Sequence, residues 1–114
     1  MGNRAYIQID SKRFETPIVF YGHWSGEDNI TAVRNVLAKT TRIGDPSYLT
    51  AQIFYEFATL GNYDGELSFG IDCGQLAGGE WADVPNVYVN ADTGEYAIGN
   101  ERFGEFALQD KIEA

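Results

Sequence analysis

Two short runs near the amino terminus alternate apolar and polar side chains, and a polar stretch separates them. The first run is Arg4 to Asp10 and the second is Pro17 to Trp24. Because successive strand residues point to opposite faces of a sheet, this pattern predicts two β-strands joined as an antiparallel hairpin. With a turn over Lys12 to Thr16, opposed residue numbers sum to about 27, since the loop of a hairpin sets its register.

The two faces of this predicted hairpin differ in composition. One is aliphatic and large enough to found a hydrophobic core, with Ala5, Ile7, Ile9, Ile18 and Phe20. The other has hydrogen-bonding aromatics and a cation where a solvated strand usually has Lys, Glu and Thr: Arg4, Tyr6, Gln8, Val19, Tyr21 and His23. Such side chains anchor protein interfaces and planar ligands, so this second face is the candidate binding surface, with Asn3 and Trp24 beside it.

Length and charge limit the classes of function. A chain of 114 residues suffices for one hydrophobic core, so residues 1–114 are predicted to form a single domain. Apolar residues make up 44% of the chain, which favours a folded protein despite its acidity. The formal charge of −9 opposes direct binding to nucleic acid or to an anionic membrane, and it favours a basic protein partner.

The scarcity of cysteine and histidine limits the chemistry. Cys73 is the one cysteine, which excludes an internal disulfide and a thiolate zinc site. No apolar run approaches the ~20 residues that span a bilayer, so we expect a cytoplasmic protein without a signal peptide or membrane helix. We also expect no metal and no cofactor, because the acids lack EF-hand spacing and the glycines around Trp81 match no phosphate-binding motif. A small enzyme would need Cys73 or His23, the sole imidazole, as its reactive group.

Apolar residues at helical spacing predict two helices after the hairpin. Ser25 is the predicted N-cap of the first helix, which runs to about Lys39. Asp45 is the predicted side-chain cap of the second helix, which covers Pro46 to Leu60. Gly61 then follows as a suitable residue for the carboxyl-terminal cap.

Further alternating runs predict three more strands. One ends at Asp72, and a hairpin joins residues 86–91 to residues 95–99 around a turn at Gly94. Residues 101–106 would add an edge segment or a short turn. The order ββααβββ predicts an α+β fold, a two-layer sandwich in which an antiparallel sheet of about five strands carries both helices on one face. The opposite face would be open to solvent or to a partner, and Tyr88 would lie on it with the hairpin tyrosines.

Several segments give the chain a resemblance to short phage and prophage proteins of unassigned function. They are Gly2-Asn3-Arg4-Ala5, His23-Trp24-Ser25-Gly26, Tyr48 ahead of an aromatic helix, Leu67 to Asp72, and Asn86-Val87-Tyr88-Val89. Those proteins carry valine where this chain has Tyr6 and asparagine where it has Ser25. The resemblance implies origin in a phage or mobile element, where small acidic proteins often inhibit host defence.

The first hypothesis is therefore a non-enzymatic, anti-CRISPR-like inhibitor in the host cytoplasm, which binds a basic surface of a host defence protein through an acidic, tyrosine-rich face. The alternatives are a sequestering protein for a nucleotide signalling molecule and a small uncharacterised enzyme. The chain could also form a homo-oligomer. In the plainest interpretation, Arg4 and His23 only tie the hairpin to nearby carboxylates. The candidate binding residues are Asn3, Arg4, Tyr6, Tyr21, His23, Trp24, Tyr48 and Tyr88.

Overall fold

Six strands and two helices make up the described part of the chain. A computed structural model describes residues 4–22, 27–61, 69–73, 85–100 and 105–109. Its elements, in chain order, are β1 (Ala5–Asp10), β2 (Ile18–Gly22), α1 (Asp28–Lys39), α2 (Pro46–Leu60), β3 (Phe69–Cys73), β4 (Asn86–Asn90), β5 (Tyr96–Asn100) and β6 (Glu105–Gln109). The α+β class is confirmed, and α2 has the predicted bounds.

The strands form one sheet in the order β3-β2-β1-β4-β5-β6. The first hairpin has the predicted register, since Tyr6 pairs with Tyr21 and Ile9 with Ile18. The prediction of an antiparallel sheet is wrong at one place, because β1 pairs with β4 in parallel, with Ile7 beside Val87. Hairpin loops oblige neighbouring strands to be antiparallel, but strands far apart in the chain can pair in either direction. The sheet has six described strands, including β6, whereas about five were predicted.

The core lies between the helices and the aliphatic face of the sheet. Ile7 is fully buried at its centre, with Phe20 on one neighbouring strand and Val87 on the other. From the helices, the buried aliphatic and aromatic residues of this core include Val33, Leu37, Leu49, Ile53 and Phe57. Each such side chain contributes about 1.5–3 kcal/mol when it is fully buried. The face predicted for the core is therefore the one that the helices cover.

The helix caps differ from the predicted ones. Ser25 lies outside the described residues, and the residue at the N-cap of α1 is Glu27, which makes no side-chain capping bond. Asp45 is at the N-cap of α2, but its carboxylate accepts a hydrogen bond from Arg42 at 3.3 Å instead of from a free helix amide. Gly61 follows α2 as predicted, and it is packed under the Phe69 ring, where a Cβ atom would collide.

A buried asparagine fastens α1 to the sheet. Asn29 has no solvent exposure, and its Nδ2 donates to the carbonyl oxygens of Tyr6 at 3.1 Å and Pro85 at 2.9 Å. Its Oδ1 accepts from the amide of Ile30 at 2.9 Å. Tyr6 lies near the start of β1 and Pro85 just before β4, so this one amide joins the first turn of α1 to the starts of both parallel strands.

An aspartate joins the other ends of the same two strands. Asp92, in the turn after β4, accepts from the amide of Lys12 at 2.8 Å and from the hydroxyl of Ser11 at 2.9 Å. These two hydrogen bonds, that of the Lys12 amide first, hold the pKa of Asp92 below its ordinary value. The amide of Ala91 adds a backbone bond to the carbonyl oxygen of Asp10. The turns that follow β1 and β4 are therefore fixed to each other.

Replacing Asn29 by alanine should lower the free energy of unfolding by about 2 kcal/mol, because the buried polar contacts of α1 with both strands are lost. Urea denaturation measures the change. Asn35→Ala is the matched control in the same helix: it removes a half-buried amide that donates to Glu56 at 3.0 Å. The control should lose less than about 1 kcal/mol. Equal losses in the two variants would contradict the assigned role of Asn29.

Replacing Asp92 by asparagine should destabilise the protein at neutral pH and have a smaller effect in acid. The pKa of Asp92 is lower in the folded protein than in the unfolded chain, so its stabilisation is complete above about pH 3.9 and declines as the pH falls through the folded value. Thermal unfolding of both proteins at about pH 7 and pH 3 tests this.

The control for this measurement is Asp45→Asn, which removes a partly exposed carboxylate paired with Arg42. It should change the stability by less than about 1 kcal/mol at either pH. A difference between wild type and Asp92→Asn that stays constant from neutral to acid pH would exclude a stabilising Asp92 carboxylate.

Candidate functional site

Tyrosines gather on the sheet face that points away from the helices. Tyr6 and Tyr21 are direct cross-strand partners, with ring centroids 6.1 Å apart and ring planes inclined by 36°. Tyr88 lies on the same face, because it pairs with Gln8, two residues after Tyr6. All three side chains are half-buried. We call the surface formed by Tyr6, Tyr21 and Tyr88 the tyrosine face.

A glycine makes room for one of these rings. Gly70 of β3 pairs with Tyr21, and a Cβ atom at Gly70 would collide with the Cζ and hydroxyl oxygen of the Tyr21 ring. The Tyr21 side chain therefore lies across β3 and toward the edge of the sheet. A residue with any side chain at position 70 would push the ring away from this position. Gly70 therefore leaves the space that the Tyr21 ring occupies in the tyrosine face.

Carboxylates and amides lie on the same sheet face as the tyrosines. Asp10 shares the face with Gln8, whose Nε2 donates to Asp10 Oδ2 at 3.2 Å. Asp72 is exposed on β3 and pairs with Val19. The two carboxylates lie toward the end of the sheet away from the Tyr6 and Tyr21 pair. The face thus combines phenol groups with negative charge, as a surface for a basic partner requires.

Asn86 is a polar residue of this face that the sequence analysis left out of the candidate residues. It is 1% exposed, and its Nδ2 donates to the Tyr88 hydroxyl at 3.4 Å. Its Oδ1 is buried without a hydrogen-bond partner. An unsatisfied buried oxygen costs about 1–3 kcal/mol of stability. The sequence could have identified Asn86, because it lies two residues before Tyr88 and residues two apart on a strand share a face.

The middle of the tyrosine face is less open than predicted. Gln8 and Val19 are both buried, so the face is not an open solvated sheet surface. A partner would therefore meet the half-exposed tyrosine rings and the carboxylates. The prediction that helices leave this side uncovered holds, since both helices pack on the aliphatic face.

The structure brings together some of the predicted binding residues and not others. Arg4 is half-buried and directly precedes β1, at the end of the sheet where Tyr6 and Tyr21 lie. Tyr48 is elsewhere: it lies in the first turn of α2, on the helix side of the sheet, where the Arg42 guanidinium lies 4.5 Å from its ring centroid. Three of the predicted residues, Asn3, His23 and Trp24, are outside the described residues.

The described residues also bear on a metal site, a cysteine-based enzyme and a membrane helix. Within residues 4–22, 27–61, 69–73 and 85–100, no group of three His, Cys, Asp or Glu side chains is placed to hold a metal ion. Of the two reactive groups that an enzyme would need, Cys73 is exposed at the end of β3 and His23 lies outside the described residues. Neither α1 nor α2 is long and apolar enough to cross a membrane.

Comparison of the chain with protein-family models, with curated proteins and with solved structures gives no match.

Replacing Gly70 by alanine should displace the Tyr21 ring and lower the free energy of unfolding by about 1–2 kcal/mol, the usual cost of added volume in a packed site. A double-mutant cycle with Tyr21→Ala, measured by urea denaturation, tests the contact. With the ring removed, Gly70→Ala should cost less than about 0.5 kcal/mol. Additive losses would show that the ring does not occupy the space above Gly70.

Proposed function

We propose that the protein is a non-enzymatic inhibitor of phage type that binds a basic surface of a host defence protein through the tyrosine face. The observation that carries this proposal is the grouping of Tyr6, Tyr21 and Tyr88 on one sheet face together with the carboxylates of Asp10 and Asp72. Tyrosines supply large contact area with little loss of rotamer entropy, and acids supply complementarity to lysines and arginines.

The charge of the whole chain supports the same partner. A formal charge of −9 produces a long-range field that steers a basic protein toward the chain and repels nucleic acid. A surface that normally binds nucleic-acid phosphates would meet carboxylates here in their place. The tyrosine rings would then provide the short-range contacts that slow dissociation.

A sequestering protein for a nucleotide signalling molecule is the second candidate, and the neighbouring, half-buried rings of Tyr6 and Tyr21 favour it. A tyrosine ring would stack on the base, and Arg4 would pair with phosphate. The negative charge of the chain disfavours such a ligand, and for that reason this function ranks second.

Binding to the defence protein should weaken as salt rises, because complementary charges draw the two surfaces together. We expect a pull-down from host lysate, with and without nuclease treatment, to identify the partner, and a salt titration by calorimetry to measure the affinity. Charge reversal by Asp10→Lys with Asp72→Lys should weaken binding by more than tenfold, which corresponds to a loss of about 1.4 kcal/mol or more of binding free energy.

Glu15→Lys combined with Glu95→Lys is the matched control, since both residues are exposed acids in hairpin turns and the change in net charge is the same. It should alter the affinity much less than the reversal on the tyrosine face. Affinity retained at about 0.5 M salt, where the screening length is a few ångströms, would count against the inhibitor. A nucleotide found by mass spectrometry among molecules released on heating would favour the second candidate instead.

A further inference from the structure

The hydroxyl end of the Tyr21 ring lies over a neighbouring strand. Its Cζ and hydroxyl oxygen occupy the space where a Cβ atom of Gly70 would be, so the ring extends across β3 on the tyrosine face. The Tyr21 side chain is half-buried, and its hydroxyl makes no hydrogen bond with another described residue. A phenol ring in this position offers a π-face and an unused hydroxyl to a partner.

A carboxylate lies diagonally opposite this ring. Asp72 is exposed on β3 and pairs with Val19, two residues before Tyr21 on β2. Such diagonal neighbours are about 7–8 Å apart, within reach of aromatic and long side chains. Asp72 Oδ1 accepts from the backbone amide of Cys73 at 2.8 Å, whereas Oδ2 has no hydrogen bond or ion pair with a described residue. The carboxylate is therefore oriented by one oxygen and open to a cation at the other.

Arg42 occupies such a pair of groups elsewhere in the structure. Its Nη1 donates to Asp45 Oδ2 at 3.3 Å, and its Cζ lies 4.5 Å from the centroid of the Tyr48 ring. A charge-assisted hydrogen bond and a cation–π contact hold this one guanidinium. Tyr21 and Asp72 provide the same two groups, and neither of them pairs with a described arginine.

We infer that Tyr21 and Asp72 form a subsite for an arginine side chain of the basic partner. The guanidinium stacks on the Tyr21 ring and donates to the open oxygen of Asp72, while the phenol hydroxyl accepts from the same fork of N–H groups. Lysine is a weaker fit, because its ammonium is a compact, strongly hydrated charge that does not stack. This subsite rests on the proposed function, since it specifies the residue type by which a partner contacts the tyrosine face.

Other ligands suit this position less well. A metal ion needs several oxygen ligands, and no group of three His, Cys, Asp or Glu among the described side chains could hold one. A phosphate would face the Asp72 carboxylate and the charge of −9. An arginine brings the positive charge, the planar group and the donors that complement both side chains.

An NMR titration with two short peptides tests the arginine preference directly. The peptides have the same length and charge, one with three arginines and the other with three lysines, separated by glycines. We expect the arginine peptide to bind at least about threefold more tightly, the difference that one exposed cation–π contact provides, and to shift the signals of the Tyr21 ring. The general attraction of an acidic chain acts equally on both peptides, so it cancels from the comparison.

Substitutions at the two residues separate the subsite from a general effect of charge. Asp72→Asn should abolish the arginine preference, because the charge-assisted hydrogen bond is lost. Tyr21→Leu should do the same, whereas Tyr21→Phe keeps the ring and should keep most of the preference. Glu15→Gln is the matched control, since it removes one exposed carboxylate in the hairpin turn, and it should leave the preference unchanged. Because Asp72 is exposed, Asp72→Asn should retain the wild-type circular dichroism spectrum.

Equal affinity of the wild-type protein for the two peptides would overturn the subsite, as would an arginine preference that survives Asp72→Asn. The peptide titration involves no defence protein, so its result is separate from that of the pull-down and the salt titration. A host partner recovered without any arginine preference would leave the proposed function standing and remove the subsite. An arginine preference without a host partner would do the opposite.

Discussion

The parallel pairing of β1 with β4 is the contact on which the rest of the sheet depends. Each hairpin could form from its own sequence, but only this pairing joins the half that contains β2 and β3 to the half that contains β5 and β6. It is reinforced at both ends. Asn29 binds the starts of the two strands through Tyr6 and Pro85, and Asp92 binds their far ends through Ser11 and Lys12. Parallel pairing has a high entropic cost of closure, so such tethers matter.

The two faces of the sheet differ in the kinds of side chain that they carry. The helix side is filled with aliphatic and aromatic side chains around Ile7, and its stability comes from removing these groups from water. The other side carries Tyr6, Tyr21 and Tyr88 with half-buried side chains. The Tyr6 and Tyr21 rings are neighbours, and the Tyr88 hydroxyl accepts a hydrogen bond from Asn86.

The distribution of charge separates two surfaces with opposite properties. The carboxylates of Asp10 and Asp72 lie on the same sheet face as the tyrosines of a strongly acidic chain, so the proposed binding of a basic partner depends on electrostatics. Helix α2, on the other side of the sheet, has Glu56 as its one charged residue, so its stabilising contacts come chiefly from buried apolar area. The two surfaces lie on opposite faces of the sheet, so neither obstructs the other.

Local pattern in the sequence determined the elements of this fold and the side on which each strand residue lies. The register of the first hairpin, the bounds of α2 and the grouping of Tyr6 with Tyr21 all follow from alternation and from turn length, which act over a few residues. The sequence could not show that β1 and β4 run parallel, or that Asp45 bonds to Arg42 instead of capping its helix.

Those features were decided by tertiary structure, because they depend on which distant segments meet. Three further features also depend on contacts between distant segments. They are the buried hydrogen bonds of Asn29, the unsatisfied oxygen of Asn86 and the position of Tyr48 away from the tyrosine face. Side-chain periodicity states which face of its own strand or helix a residue occupies. It carries no information about the neighbour that the face will contact, since that choice is made by packing across the whole chain.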